Sequence, residues 1–191
     1  VVDSACSATQ LATGIPAGSE MIGLDSDGNS VETILEKAKA MGKATGLVSD
    51  TRMTHATPAS FAAHQPHRSL ENEIAEEMLK QTQVDVMLSG GLRHWIPKGS
   101  SKNNAELAAL INEPSMKIKS KRKDDKNLLL DAKNLGYALA FNRSQLDAAK
   151  GEKVLGLFAY SGMLDGIQYS ANKNSADRVQ PSLKEMTMKA L

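Results

Sequence analysis

The chain of 191 residues has few of the features that mark several protein classes. It has one cysteine, which excludes an internal disulfide and a zinc site built from several cysteines. None of its hydrophobic runs approaches the roughly 20 residues that cross a bilayer. The formal net charge is only +1, so no overall field favours nucleic acid or a membrane as a partner. The chain has enough apolar residues to form the core of one domain or of part of one.

Short apolar runs alternate along the chain with segments whose apolar residues recur at helical spacing. Strands are predicted at 21–24, 43–49, 84–88, 137–141 and 153–159, with Val1 and Val2 as the tail of another. A first helix is predicted to include residues 10–13 and to stop at Gly14. Further helices are predicted at 30–41, 57–65, 70–81, 103–111, 128–135, 144–149 and 181–191. This alternation predicts an α/β protein, a three-layer α/β/α arrangement with a largely parallel central sheet.

The chain shows no internal repeat and no low-complexity linker, so residues 1–191 are predicted to form a single, incomplete domain. Residues 161–180 have a loop-like composition. Residues 113–127 are predicted to be a surface excursion, and their basic run KIKSKRKDDK is interrupted by acids and lacks interleaved aromatics. A solvated segment is therefore favoured there over a nucleic-acid contact.

Several polar residues are candidates for the position that begins a helix. Ser30 would cap the helix that Gly42 ends, and Thr57 would cap the next, with Pro58 at its first position. Asp3 and Ser4 are also ordinary capping residues. A serine at such a position lies among unpaired N–H groups at the positive end of the helix dipole, where it can bind a phosphate. It can also attack the phosphate if something removes its proton.

Two motifs favour the chemical role. DSACSATQLATG at the start and THATPASFAAHQPHR fifty residues later together resemble an alkaline phosphatase. Further segments at 31–51, 84–97, 154–163 and 181–191 follow in the order of that family, with small departures at Cys6, Gln10 and SGGLRHW. The resemblance implies that Ser4 is the phosphate-accepting nucleophile and that Arg68 holds two phosphate oxygens. It also implies that Asp3 supports the arginine and the phosphate pocket.

The resemblance implies two zinc ions and one magnesium ion. Ser4 would contact one zinc, Thr57 would bind magnesium through its hydroxyl, and His55 would contact magnesium through water or tune it from outside. The other ligands of the family's metals have no match in this sequence. From spacing alone, Thr57 is more often a helix cap and His55 a satisfied polar residue. His64 and His67 do not form a helical zinc pair, because Pro66 lies between them.

The predicted activity is hydrolysis of phosphate monoesters through a phosphoserine, with release of inorganic phosphate. By resemblance the whole enzyme is a periplasmic or secreted homodimer that binds no nucleic acid and no membrane. The 191 residues alone are expected to be inactive, because Ser4 would lack its activating metal. Two alternatives stay open: a related phosphodiesterase or sulfatase, and an inactive anion-binding fragment.

Overall fold

The computed structural model describes residues 2–172, 175 and 178–191, and the chain divides into two compact units. Unit 1 comprises residues 1–46 and 54–85, and unit 2 comprises 47–53 and 86–191. The strands are β1 (Gly46–Arg52), β2 (Val86–Gly90), β3 (Ala138–Ala140) and β4 (Val154–Leu157). The α-helices are α1 (Ser4–Thr13), α2 (Ile34–Ala40), α3 (Ala56–Ala59), α4 (Glu71–Lys80), α5 (Ala105–Ile111), α6 (Leu128–Asn134), α7 (Arg143–Ala148), α8 (Gly166–Asn172) and α9 (Leu183–Ala190).

Unit 2 is built on a sheet with the strand order β1-β2-β4-β3. Strand β4 pairs in parallel with β2, placing Val86 opposite Val154, and in parallel with β3, placing Ala138 opposite the same residue. Helices α6 and α7 lie against β3, and α9 lies against β2. Parallel strands joined through helices are the arrangement that the alternating sequence pattern predicts, so the α/β prediction is confirmed.

One hydrophobic core cluster of unit 2 lies between this sheet and helices α7 and α9. Its buried side chains are Leu88, Ala140, Leu146, Val154, Phe158 and Met186. Gly156 on β4 leaves the space that Phe158 and Leu88 fill, since a Cβ there would lie 2.4 Å from the Phe158 ring. Each fully buried large apolar side chain contributes about 1.5–3 kcal/mol to the burial term of folding.

Unit 1 contains helices α1 to α4, which irregular and short extended segments connect. Residues Ile22 and Leu24 form isolated antiparallel bridges, to Gln65 and Ser30, in place of the strand predicted at 21–24. Helix α1 contacts α2 and α3 through small side chains, among them the fully buried Ala5 and Ala59. Small residues at these contacts let the helix backbones approach closely, so the position of the N-terminus of α1 is tightly defined.

Two helix-cap predictions are wrong. Thr33, not Ser30, caps α2, because Thr33 and Glu36 form a capping box in which each side chain accepts from the backbone of the other. Helix α3 begins after His55, so Thr57 is its second residue and not its cap. This helix ends at Ala59, well before Pro66, and is followed by turns.

Other boundaries also differ from the prediction. The strand predicted at 43–49 begins only at Gly46 and is half-exposed along most of its length. Helix α8 lies inside the segment predicted as loop, where the Asp165 carboxylate accepts from the N–H groups of Ile167 and Gln168 at 2.9 Å. Part of that segment (173, 174, 176 and 177), like the first residue of the predicted Val1–Val2 strand tail, lies outside the described residues.

The segment 113–127 is irregular and buries some of its side chains. The Arg122 guanidinium is 1% exposed, forms an ion pair with Asp124 at 2.7 Å and donates to the His94 carbonyl at 3.0 Å. Met116 is also buried. Across the described part of the chain, no helix has the length and apolar character that spanning a membrane requires.

Candidate active site

Ser4 is the first residue of α1, and Asp3 is the residue that caps this helix. The Asp3 Oδ1 atom accepts from the N–H of Ala5 at 2.6 Å and from that of Cys6 at 3.1 Å. These bonds satisfy the N-terminal donors that a capping side chain normally serves. The Ser4 hydroxyl is therefore not needed to begin the helix.

The second carboxylate oxygen of Asp3 binds a loop. Asp3 Oδ2 accepts from the Glu20 N–H at 2.6 Å and from the Ser19 hydroxyl at 2.8 Å. Burial by itself would raise the pKa of Asp3, but the hydrogen bonds from Ser19, Cys6, Glu20 and Ala5 together lower it. Asp3 is therefore a carboxylate at neutral pH, and it connects the start of α1 to residues 19–20.

Arg68 contacts the start of α1 through its guanidinium group. Its Nη1 donates to Ser4 Oγ at 2.8 Å, and its Nη2 lies 3.2 Å from His55 Nε2. A guanidinium can only donate, so His55 Nε2 accepts in this contact. Nη1 is also 4.0 Å from Asp3 Oδ1, and the Arg68 backbone N–H donates to the Glu20 carbonyl at 2.8 Å. The guanidinium is thus held on the serine by contacts to both its side chain and its backbone.

These contacts bring together four of the five residues that the sequence predicts for the site. Ser4, Asp3, Arg68 and His55 form one cluster within unit 1. Thr57 is not part of these contacts, and its side chain is exposed near the start of α3. A phosphoryl group on Ser4 Oγ would lie within reach of both Nη atoms, which suit the two-oxygen grip of an arginine fork.

Sequence reasoning missed Glu20, whose backbone connects the two halves of the cluster. Glu20 has a left-handed backbone, with φ of 62°, and its carboxylate forms an ion pair with His67. The neighbouring Gly18 indicates a turn there, but no side-chain motif marks a residue that acts through its N–H and C=O groups. A backbone role of this kind leaves little trace in the sequence.

The described residues supply only some of the ligands that the implied metal ions would need. Among the described residues, no three or more His, Cys, Asp and Glu side chains are grouped so that they could hold a metal ion. The cluster offers the Ser4 hydroxyl and His55, and Thr57 offers an exposed hydroxyl nearby in sequence. Such a set is too small for the four ligands of a protein zinc site. The described residues therefore do not fit two zinc ions on their own.

Comparison with known proteins gives the family of this chain. The alkaline phosphatase family model matches residues 1–191. The chain belongs to the alkaline phosphatase family. It is 35% identical over 193 residues to alkaline phosphatase 3 of Bacillus subtilis (strain 168), a match that covers all of this chain and 35% of the relative. The crystal structure of Thermus thermophilus alkaline phosphatase aligns with a TM-score of 0.79 at 29% identity, covering 100% of this chain and 34% of that one.

The chain spans about a third of the length of the curated alkaline phosphatases that it matches. A second similar structure is a variant of the alkaline phosphatase from the Antarctic bacterium TAB5, described as having Mg bound in the M3 site. It aligns with a TM-score of 0.71 at 27% identity over 99% of this chain and 46% of that one. At least one family member therefore binds a metal ion.

Proposed function

We propose that this chain supplies the nucleophile and the phosphate-binding arginine of an alkaline phosphatase that hydrolyses phosphate monoesters. One observation carries the proposal: Arg68 Nη1 donates to Ser4 Oγ at 2.8 Å while Asp3 caps the helix. A serine that only began the helix would be the capping residue itself. Here the hydroxyl faces a cation that cannot act as a base and that suits a phosphate dianion.

In the proposed reaction Ser4 Oγ attacks phosphorus and the ester P–O bond breaks. The alcohol leaves with the proton that Ser4 gives up, and Arg68 holds the non-bridging oxygens. Water then attacks the phosphoserine, which restores the serine hydroxyl and releases inorganic phosphate. Arg68 compensates the charge on the phosphoryl oxygens in both steps, where charge develops in the transition state.

The complete site would also contain the two zinc ions and one magnesium ion that the family resemblance implies. Ser4, Thr57 and His55 are the donors that this chain would offer, and further ligands would have to come from outside the described residues. A periplasmic or secreted homodimer belongs to the same proposal, and light scattering on the whole protein tests the dimer. The 191 residues by themselves are expected to show negligible turnover.

The experiment that tests the function is a phosphoserine trap. The whole protein is mixed with a chromogenic phosphate monoester, quenched in acid and digested, and mass spectrometry then locates the phosphoryl group. We expect it on Ser4, and we expect Ser4→Ala to abolish both the label and the turnover. Ser7→Ala makes the same substitution one turn along α1 and should leave both unchanged. A label on another residue, or turnover by Ser4→Ala, would contradict the assignment.

Comparing substrates separates the alternative enzymes. A phosphate monoester dianion carries more negative charge on its non-bridging oxygens than a diester monoanion, so Arg68 should bind the monoester more strongly and monoesters should be preferred over diesters. Equal rates for diesters or sulfate esters would favour the related hydrolases. Phosphate binding that survives chelation, with no turnover by the whole protein, would favour an anion-binding role.

A further inference from the structure

The His64 ring has a hydrogen-bond acceptor at each of its two nitrogens. Nδ1 lies 3.3 Å from Glu77 Oε1, and Nε2 lies 3.0 Å from the Val31 carbonyl oxygen. Nε2 is also 3.5 Å from Glu36 Oε2. A neutral imidazole has only one N–H and can donate to only one of these groups. Both hydrogen bonds form together only when the ring is a protonated imidazolium.

Glu77 on α4 is the second member of the pair, and it is buried. Besides the His64 ring, its carboxylate accepts from the His64 backbone N–H at 2.9 Å and from Gln65 Nε2 at 2.8 Å. Burial by itself would raise the pKa of Glu77, but the bonds from His64 and Gln65 lower it. The bond to Glu77 raises the pKa of His64. Glu36 and Lys39 of α2 are the other charged groups that line the same pocket.

The segment that this pair holds is the one that carries the phosphate-binding arginine. The backbone of Gln65 exchanges two hydrogen bonds with Ile22, at 2.9 and 3.0 Å, and the Arg68 N–H donates to the Glu20 carbonyl at 2.8 Å. Residues 64–68 are therefore held by Glu77 on one side and by residues 20–22 on the other. Arg68 lies at the end of this held segment, where a loosened backbone would move its guanidinium.

We propose that His64 and Glu77 are a pH-sensitive positioning pair for Arg68, and that loss of the His64 proton as pH rises loosens residues 65–68. The role assigned to Arg68 rests on the proposed function, whereas the pair and its titration do not. When His64 loses its proton, one ring nitrogen presents a lone pair to an acceptor, and one of the two contacts is lost. The stabilisation is thus present below the ordinary His pKa of 6.5 and disappears as pH rises through the raised pKa.

The decisive measurement is made on the whole protein by NMR and needs no turnover. The ring nitrogens of His64 report its protonation, and hydrogen exchange reports the protection of the Gln65 and Arg68 amides. We expect both ring nitrogens to be protonated below the ordinary His pKa of 6.5, and we expect the ring to titrate above it. We also expect protection, corrected for the intrinsic pH dependence of exchange, to fall about tenfold at the pH where the ring titrates, as loss of one hydrogen bond to a charged group predicts.

Two variants separate positioning from general stability. Glu77→Gln keeps the shape but removes the charge, so the exchange step should move to lower pH, toward the unperturbed His value. Asp85→Asn disrupts a comparable cluster in unit 1, where Asp85 accepts from Lys39 and Thr45, and should leave the step in place.

Three results would overturn the proposal: a His64 ring that titrates below pH 6.5, an exchange step at a different pH from the ring titration, or equal shifts in the two variants. If Glu77→Gln does not fold, the wild-type titration and exchange decide alone. The phosphoserine trap tests the proposed function separately, so either can fail without the other.

Discussion

Gly23 lies where the segment before α2 crosses the segment that leads to Arg68, and replacing it with alanine should be severe. Its φ is 62°, in the left-handed region. Its N–H donates to Thr9 Oγ1 at 3.0 Å, and its carbonyl accepts from Val31 at the same distance. An added Cβ would lie 2.2 Å from the Ala63 carbonyl oxygen and 2.9 Å from His64 Cδ2. The backbone bonds on both sides leave the residue little freedom to move away.

The expected loss has two parts. A non-glycine residue in the left-handed region costs about 1–2 kcal/mol, and forcing an extra methyl into a packed site costs typically about 1–3 kcal/mol. Gly23→Ala should therefore lower the free energy of unfolding by about 2–5 kcal/mol. Gly14→Ala is the matched control, because Gly14 has a φ of 75° with nothing within 4 Å of its Cβ position. Gly14→Ala should lower the free energy of unfolding only by the cost of the left-handed backbone.

Urea unfolding of the whole protein, followed by circular dichroism, measures both variants. The midpoint should fall further for Gly23→Ala than for Gly14→Ala, with the slope m unchanged. Equal losses of unfolding free energy in the two variants would show that residues 63–65 move aside easily to make room for the added methyl group. The account of a tightly held arginine would then be wrong. Faster exchange of the Arg68 amide in Gly23→Ala would connect the clash to the site.

Three further predictions test individual contacts. Arg68→Lys should weaken binding of inorganic phosphate about 10- to 100-fold by calorimetry, since one charge-assisted hydrogen bond of the fork is lost; unchanged affinity would exclude a two-oxygen grip. Asp3→Ala should be less stable than Asp3→Asn by about 1 kcal/mol in urea, because only asparagine keeps the cap; equal stability would contradict the capping role. Arg178 lowers the pKa of Glu185 to about 2, so the stability lost in Glu185→Gln, measured from thermal melts, should shrink as pH falls from 7 toward 3; a pH-independent loss would refute the ion pair.

The order of the elements could be predicted from the sequence because apolar periodicity reflects burial, which the fold preserves. Helix α4 and strand β4 each differ from the predicted bounds by one or two residues at either end. The helix starts were less predictable, because several capping residues often lie within a few positions of one another. Ser30 competes with Thr33, and only the acid three residues after Thr33 decides between them. The same signature correctly marks Ser182 before α9.

For the candidate site, too, some residues could be predicted from the sequence and others could not. Ser4 and Arg68 could be named because their motifs are long, and the structure places them in contact although 64 positions separate them. The residues that hold them could not be named. Glu20 acts through its backbone, and Glu77 acts through a buried carboxylate that is one of several acids on an amphipathic helix. Nothing in the spacing distinguishes that acid from its solvated neighbours.

The holding contacts explain how a flexible arginine could serve a small anion. Burying and ordering a long side chain costs up to about 2 kcal/mol of rotamer freedom. Here Ser4 and His55 already hold the guanidinium, and Glu20 holds the backbone behind it, so part of that ordering precedes any ligand. A phosphate that enters replaces a bond to a neutral hydroxyl with charge-assisted bonds to its own oxygens. In the proposed site, the energy gained in that exchange would go into binding the anion and not into ordering the arginine. The contacts around Glu20 and Glu77 would in this way support the chemistry proposed on Ser4.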